Sequence, residues 1–113
     1  MTSLKWTGIP LEAQYLYRQA LDTKNNGKKE DALKYLKQAV FIAPHFCNAY
    51  NALGNCLDEM GRYDEAARKY EKVLELNPQH MEARFKLAMI LKKIRYEAEV
   101  LPFTELSALL CST

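Results

Sequence analysis

The chain has 113 residues, 49% of them hydrophobic and 27% charged, with a formal net charge of +2. That length supports one domain with a modest core, and the composition excludes disorder along the whole chain. Acids such as Glu30, Asp31 and Glu97 are interleaved with the lysines, which excludes the continuous basic stripe that nucleic acid requires, and no apolar run approaches the roughly 20 residues that span a bilayer.

The opening segment, MTSLKWTGIP, lacks the apolar core of a signal peptide and reads as a leader over residues 1–10, with a cytoplasmic location expected. Pro10 suits the first position of a helix, because its missing N–H is not needed there; that helix is predicted over Leu11 to Asn25. Asn25, Asn26 and Gly27 supply the left-handed conformation that ends it. A second helix, from about Lys29 to Ile42, places Ala32, Leu36, Ala39 and Val40 on one face, and Pro44 stops it.

The next helix, from about Phe46 to Met60, carries the stripe Tyr50, Leu53, Gly54 and Leu57, and Gly61 closes the turn. A returning helix starts near Asp64 with Ala66, Tyr70, Val73 and Leu74 inward, and ends at Asn77 and Pro78. A fifth helix is expected from about Gln79 to Lys93, with Leu87, Ala88 and Leu91 inward. Near Pro102 a short C-terminal helix then begins, with Phe103, Leu106, Leu109 and Leu110 on one side.

Pro44 and Pro78, Gly27 and Gly61, and Ala32 and Ala66 are each separated by 34 residues. A two-helix unit of that period cannot bury its apolar face alone and stacks on its neighbours as a solenoid. Ala20, Gly54 and Ala88 fall at equivalent places, where a small side chain lets paired helices approach.

With the first position at Cys47, the residues Tyr50, Leu53, Gly54, Leu57, Gly61, Tyr63, Ala66, Tyr70, Val73 and Pro78 resemble the signature of the tetratricopeptide-repeat family. Residues 13–46 match less fully, because Gln19 and Thr23 replace apolar residues, and residues 81–95 match only a first helix. The resemblance implies an all-α fold: antiparallel helical hairpins stacked as a short right-handed solenoid, about five repeat helices over residues 11–95 plus a short C-terminal helix in the tail, 96–113. Beyond Arg95 the pattern fails, since Arg95 stands where the turn glycine belongs.

Function is expected on the other face of the first helices, turned into the concave side of the stack. Gln14, Tyr17, Leu21 and Lys24 form that stripe in the first repeat, Asn48, Asn51, Asn55 and Asp58 in the second, and Glu82, Phe85, Met89 and Lys92 in the third. Amides that both donate and accept suit a peptide backbone, while Tyr17, Leu21, Phe85 and Met89 suit apolar side chains. The expected partner is a protein or peptide segment, with neither nucleic acid nor membrane.

The resemblance also permits a test for one specific ligand. In the chaperone-binding class of the family, basic and amide residues of three first helices clamp a terminal carboxylate; the matching positions here are Tyr17, Leu21, Ala52, Glu82 and Lys86, and only Lys86 is basic. The clamp is therefore not expected.

No catalytic constellation is evident, and no cofactor is expected. His45, Cys47 and His80 lack the close-paired spacing of a zinc site, so no metal is expected either. Cys47 and Cys56 are too far apart on one helix for a disulfide and read as reduced packing residues. The alternative to a peptide groove is self-association, in which the tail residues Leu101, Phe103, Leu106, Leu109 and Leu110 pack on another subunit.

Overall fold

The computed structural model describes the backbone of residues 8–111 and the side chains of residues 8–97. Within that range five helices succeed one another: α1 (Leu11–Asn25), α2 (Lys29–Ile42), α3 (Cys47–Glu59), α4 (Tyr63–Leu76) and α5 (Met81–Cys111). No strand occurs among the described residues. The chain is thus an all-α stack of helical hairpins, in which α1 packs on α2, α2 on α3, α3 on α4 and α4 on α5.

The two hairpin turns have one physical origin. Gly27 and Gly61 adopt φ of 81° and 77°, a left-handed conformation that side-chain-bearing residues rarely hold. Each turn is closed by the same pair of backbone bonds one period apart: the N–H groups of Gly27 and Lys28 donate to Lys24 and Thr23, and those of Gly61 and Arg62 donate to Asp58 and Leu57.

Within the second hairpin the small residue is indispensable. A Cβ placed on Gly54 would lie 2.6 Å from Tyr70 Cε1, so the Tyr70 ring occupies the space that glycine vacates. Tyr70 is fully buried and its hydroxyl donates to Asn55 Oδ1 at 2.5 Å, which satisfies the one polar atom the ring carries inward. Around it, Leu53, Leu57, Phe46, Leu36 and Val73 complete the core. Cys56 joins this core, its thiol pointing to the Lys29 carbonyl oxygen at 3.5 Å, and Glu59 ties Lys24 and Lys29 of the first hairpin to the end of α3 at 3.1 and 3.5 Å. Both described cysteines, Cys47 and Cys56, are free thiols.

The carboxy-terminal region differs from the sequence expectation. The predicted break near Arg95 and the separate short helix opening at Pro102 are replaced by one helix of 31 residues through Cys111. Between Met81 and Leu101 there is no glycine or proline to end a helix, and Arg95 offers no left-handed turn. At about 1.5 Å per residue α5 is some 46 Å long, twice the length of any other helix, and the described fold measures 69 × 30 × 20 Å.

The long helix brings a second correction. Among the described side chains of α5, Ala83 and Ile90 are buried, with Leu87 and Ile94 half-buried, whereas Ala88 is exposed and Leu91 is 51% exposed. Among the described residues no returning helix covers the predicted inward face of α5. The side chains of Leu101, Phe103, Leu106, Leu109 and Leu110, like Trp6, lie outside the described residues.

Candidate functional site

The first helices α1, α3 and α5 repeat at 34-residue intervals, so Tyr17, Asn51 and Phe85 occupy one equivalent position and Leu21, Asn55 and Met89 another. Electrostatics links the outer two of these helices. Burial first, then the carboxylate of Glu82 on α5, pushes the Tyr17 phenol above its ordinary value.

Tyr17 and Leu21 are half-buried, and the Tyr17 ring packs on Phe46 with centroids 5.2 Å apart at 48°. They form a floor rather than a free patch. Phe85 and Met89 are different: they are 67% and 43% exposed, on the uncovered side of α5. The apolar grip available to a ligand is therefore concentrated at the α5 end.

The three asparagines are not equivalent. Asn48 is half-buried beside His45, Cys47 and His80. Asn51 buries its Oδ1 without a hydrogen-bond donor from any described residue. Asn55 Oδ1 accepts from two donors, the Tyr70 hydroxyl at 2.5 Å and Lys86 Nζ at 3.0 Å. Asn55 thus links α3 to α4 and α5, and its carbonyl is committed inside the protein. Removal from water also pushes the Tyr70 phenol far above its usual range, with Asp58 contributing next.

Lys86 is held between Asn55 and Glu82, whose Oε1 lies 3.9 Å from its Nζ. Lys92 lies further along α5, where it borders a cavity of about 520 Å³ with Tyr63, Met89, Lys93, Arg95, Tyr96 and Glu97. Lys93 Nζ donates to Asp58 Oδ1 at 3.1 Å and sits 5.2 Å from the Tyr63 ring centroid, so it is clamped between α3 and α4. Helical spacing in the sequence points to Met89 and Lys92 but not to Tyr63, Lys93, Arg95 and Tyr96. Tyr63 lies 30 residues before Lys93, so nothing in the spacing shows that α4 and α5 bring these four together.

At the other end of the first helices, His45, Cys47 and His80 border a smaller cavity of about 180 Å³. His80 Nδ1 accepts the Ala83 N–H at 3.1 Å and so caps the start of α5. The Cys47 thiol faces the Val73 carbonyl oxygen at 4.0 Å, and burial pushes it above the ordinary thiol range. Both side chains serve packing, and among the described residues no group of three His, Cys, Asp or Glu side chains is placed to hold a metal ion. No helix of the described residues is long and apolar enough to cross a membrane.

Comparison with known proteins bears on the repeat itself. The tetratricopeptide-repeat family matches residues 47–80, the hairpin α3–α4. Small glutamine-rich tetratricopeptide repeat-containing protein 2 of Mycosarcoma maydis is 36% identical over 69 residues, which covers 61% of this chain and 20% of that protein. Among solved structures, MamA from Desulfovibrio magneticus RS-1 superposes with a TM-score of 0.73 at 26% identity, over 87% of this chain and 55% of that one. The Sgt2 TPR domain from Aspergillus fumigatus superposes with a TM-score of 0.71 at 26% identity, over 80% of this chain and 60% of that one. The chain therefore spans a fifth of the fungal relative's length and little more than half of the solved chains.

Proposed function

The chain is a tetratricopeptide-repeat protein, and on that premise we propose that it is a non-catalytic interaction module whose concave face holds a protein or peptide segment. The observation that carries this reading is the exposure of Phe85 and Met89, 67% and 43%, beside Asn51, whose buried Oδ1 lacks a donor. Large apolar side chains left in water at an inner face are the usual anchors of a bound segment. Because its Oδ1 is enclosed, the Asn51 amide has to turn to meet a backbone N–H of that segment, and the turn relieves an unsatisfied acceptor. Because α1, α3 and α5 are already fixed by packing, the receptor has little ordering to undergo when it binds. A cytoplasmic setting is part of this reading.

The test is binding of a captured partner by the full chain against Phe85→Ser/Met89→Ser and Asn51→Ala. Asn55→Ala is a poor probe, since it also removes the bridge to Tyr70 and Lys86. Loss of binding in the first two variants with unchanged unfolding is expected; undiminished binding in both would remove the groove assignment.

A second reading, self-association, is favoured by one observation: among the described residues no returning helix lies over the face of α5 that carries Ala88 and Leu91. A second copy would supply that cover. Sedimentation of the full chain should then shift to larger species with concentration, and Leu91→Lys should abolish the shift. A monomer at every concentration would dispose of this reading.

A further inference from the structure

The starts of α1, α3 and α5 meet at one end of the stack, where Ile9, Phe46, Asn48 and His80 border the cavity of about 180 Å³. The chain enters α1 through this end. Ile9 packs against the core, and its carbonyl oxygen accepts from Gln14 Nε2 at 2.8 Å. Gln14 belongs to the inner stripe of α1, about one turn before Tyr17. Ile9 is thus fastened on the inner side of the helix, beside Phe46, whose ring Tyr17 meets with centroids 5.2 Å apart. Gly8 holds φ of 83°, a left-handed turn that bends the chain just before that fastening.

Residues 1–7 lead into this turn, and they contain the chain's one tryptophan, Trp6. We propose that this leader is the occupant of the α1 end of the inner face, with the Trp6 indole seated on the Tyr17–Phe46 ring pair. Reach permits it: the two residues from Gly8 to Trp6 span up to about 7 Å, the indole extends further, and Tyr17 stands about 9 Å along α1 from Leu11. Tethering favours it, because a side chain so close to a fixed residue meets the pair at an effective concentration on the order of millimolar, which a separate molecule rarely matches. The chemistry fits as well. Two inclined rings take a third in edge-to-face or offset contact, and an indole buries a large apolar surface when it docks on them. The carboxy-terminal chain does not compete for the same place, since α5 carries its backbone away and residue 101 lies about 30 Å along that helix from Met81. The proposal goes beyond the groove reading and does not depend on it: the leader takes the α1 part of the inner face, and the part formed by α3 and α5 stays open.

Because Trp6 is the sole tryptophan, its fluorescence in the full chain reports the docking directly. Emission is expected to the blue of that of a free peptide of residues 1–10. Acrylamide should quench it about fivefold more slowly than the peptide, as a docked share of about four in five requires. Tyr17→Ser should return both readings to the peptide values with the circular dichroism unchanged. In the unaltered chain the indole protons should show nuclear Overhauser contacts to the Tyr17 and Phe46 rings, a reading that does not depend on how the variant folds.

Emission and quenching equal to those of the free peptide would overturn the proposal, as would the absence of contacts from the indole to either ring. A blue shift that grows with protein concentration would assign the indole to a second copy, and contacts from Phe103 to Tyr17 would assign the place to the carboxy-terminal chain; either result overturns it. The groove reading is judged separately, by the captured-partner variants at Phe85, Met89 and Asn51, so failure of the one is distinguishable from failure of the other.

Discussion

Leu57 and Leu91 lie one period apart at the same repeat position, yet Leu57 is 0% exposed and Leu91 is 51% exposed. Gly54 and Ala88 make the same contrast, the first pressed against Tyr70 and the second exposed. The cause is the segment that succeeds each helix. After α3 a left-handed glycine turns the chain back, and α4 buries the stripe; after Arg95 the helix runs on, and the stripe meets water. A first helix therefore specifies its inner face locally, but that face becomes core only when a second helix is delivered onto it. Phe85 and Met89 are also exposed, but on the other face of α5, which a returning helix does not cover.

Paired substitutions can break this comparison. The largest expected contrast is Leu57→Ala, which should cost about 2–5 kcal/mol by emptying a core site, against Leu91→Ala at under about 1 kcal/mol. Chemical denaturation of both variants measures it; equal losses would mean that α5 is covered after all. Next comes Gly54→Val, expected to cost about 1–3 kcal/mol because the new side chain collides with the Tyr70 ring, while Ala88→Val changes stability by no more than about 0.7 kcal/mol, the scale of helix propensity. Thermal melts of that pair would show whether the close approach is confined to the second hairpin.

Smaller effects sharpen the turns. Gly61→Ala should cost about 1–2 kcal/mol, since its left-handed conformation opposes a Cβ, and Gly27→Ala should behave alike. Tyr70→Phe removes one buried hydrogen bond and should cost about 1 kcal/mol near neutral pH. The tyrosine also gives a pH signature. Its phenol titrates higher in the folded state than the unfolded value of about 10, so its contribution is fully present below pH 10. Above that the unfolded chain ionises first and stability falls as pH rises towards the folded value. Tyr70→Phe should flatten this alkaline loss in denaturation curves, and an unchanged slope would assign the loss to other groups.

Much of this organisation could be read in the residues. Pro10, Gly27, Pro44, Gly61 and Pro78 punctuate the chain strongly enough that α1 and α2 begin and end where expected, and α3 and α4 fall within a residue or two of expectation. The end of α5 was not legible in the same way, because its continuation depends on the absence of a turn residue, and Pro102 resembles a helix start as much as an interior position. Within the site, Phe85, Met89 and Lys92 follow from helical spacing alone. The role of Asn55 does not: its partners Tyr70 and Lys86 stand 15 and 31 residues away and are joined to it only by the packing of three helices. That Tyr63, Lys93 and Tyr96 share a wall was illegible for the same reason, since the wall is assembled between one repeat's turn and the next repeat's first helix.

The most direct measurement tracks the methionine methyl resonances of the full chain as a bound partner segment is titrated in. Met89 borders the proposed groove and its cavity, whereas Met60 lies half-buried where α3 ends. The Met89 methyl should shift progressively to saturation while that of Met60 stays in place. A partner that binds without moving Met89, and instead perturbs the outer surface around Phe41, which is 87% exposed on α2, would contradict the assignment of function to the inner face.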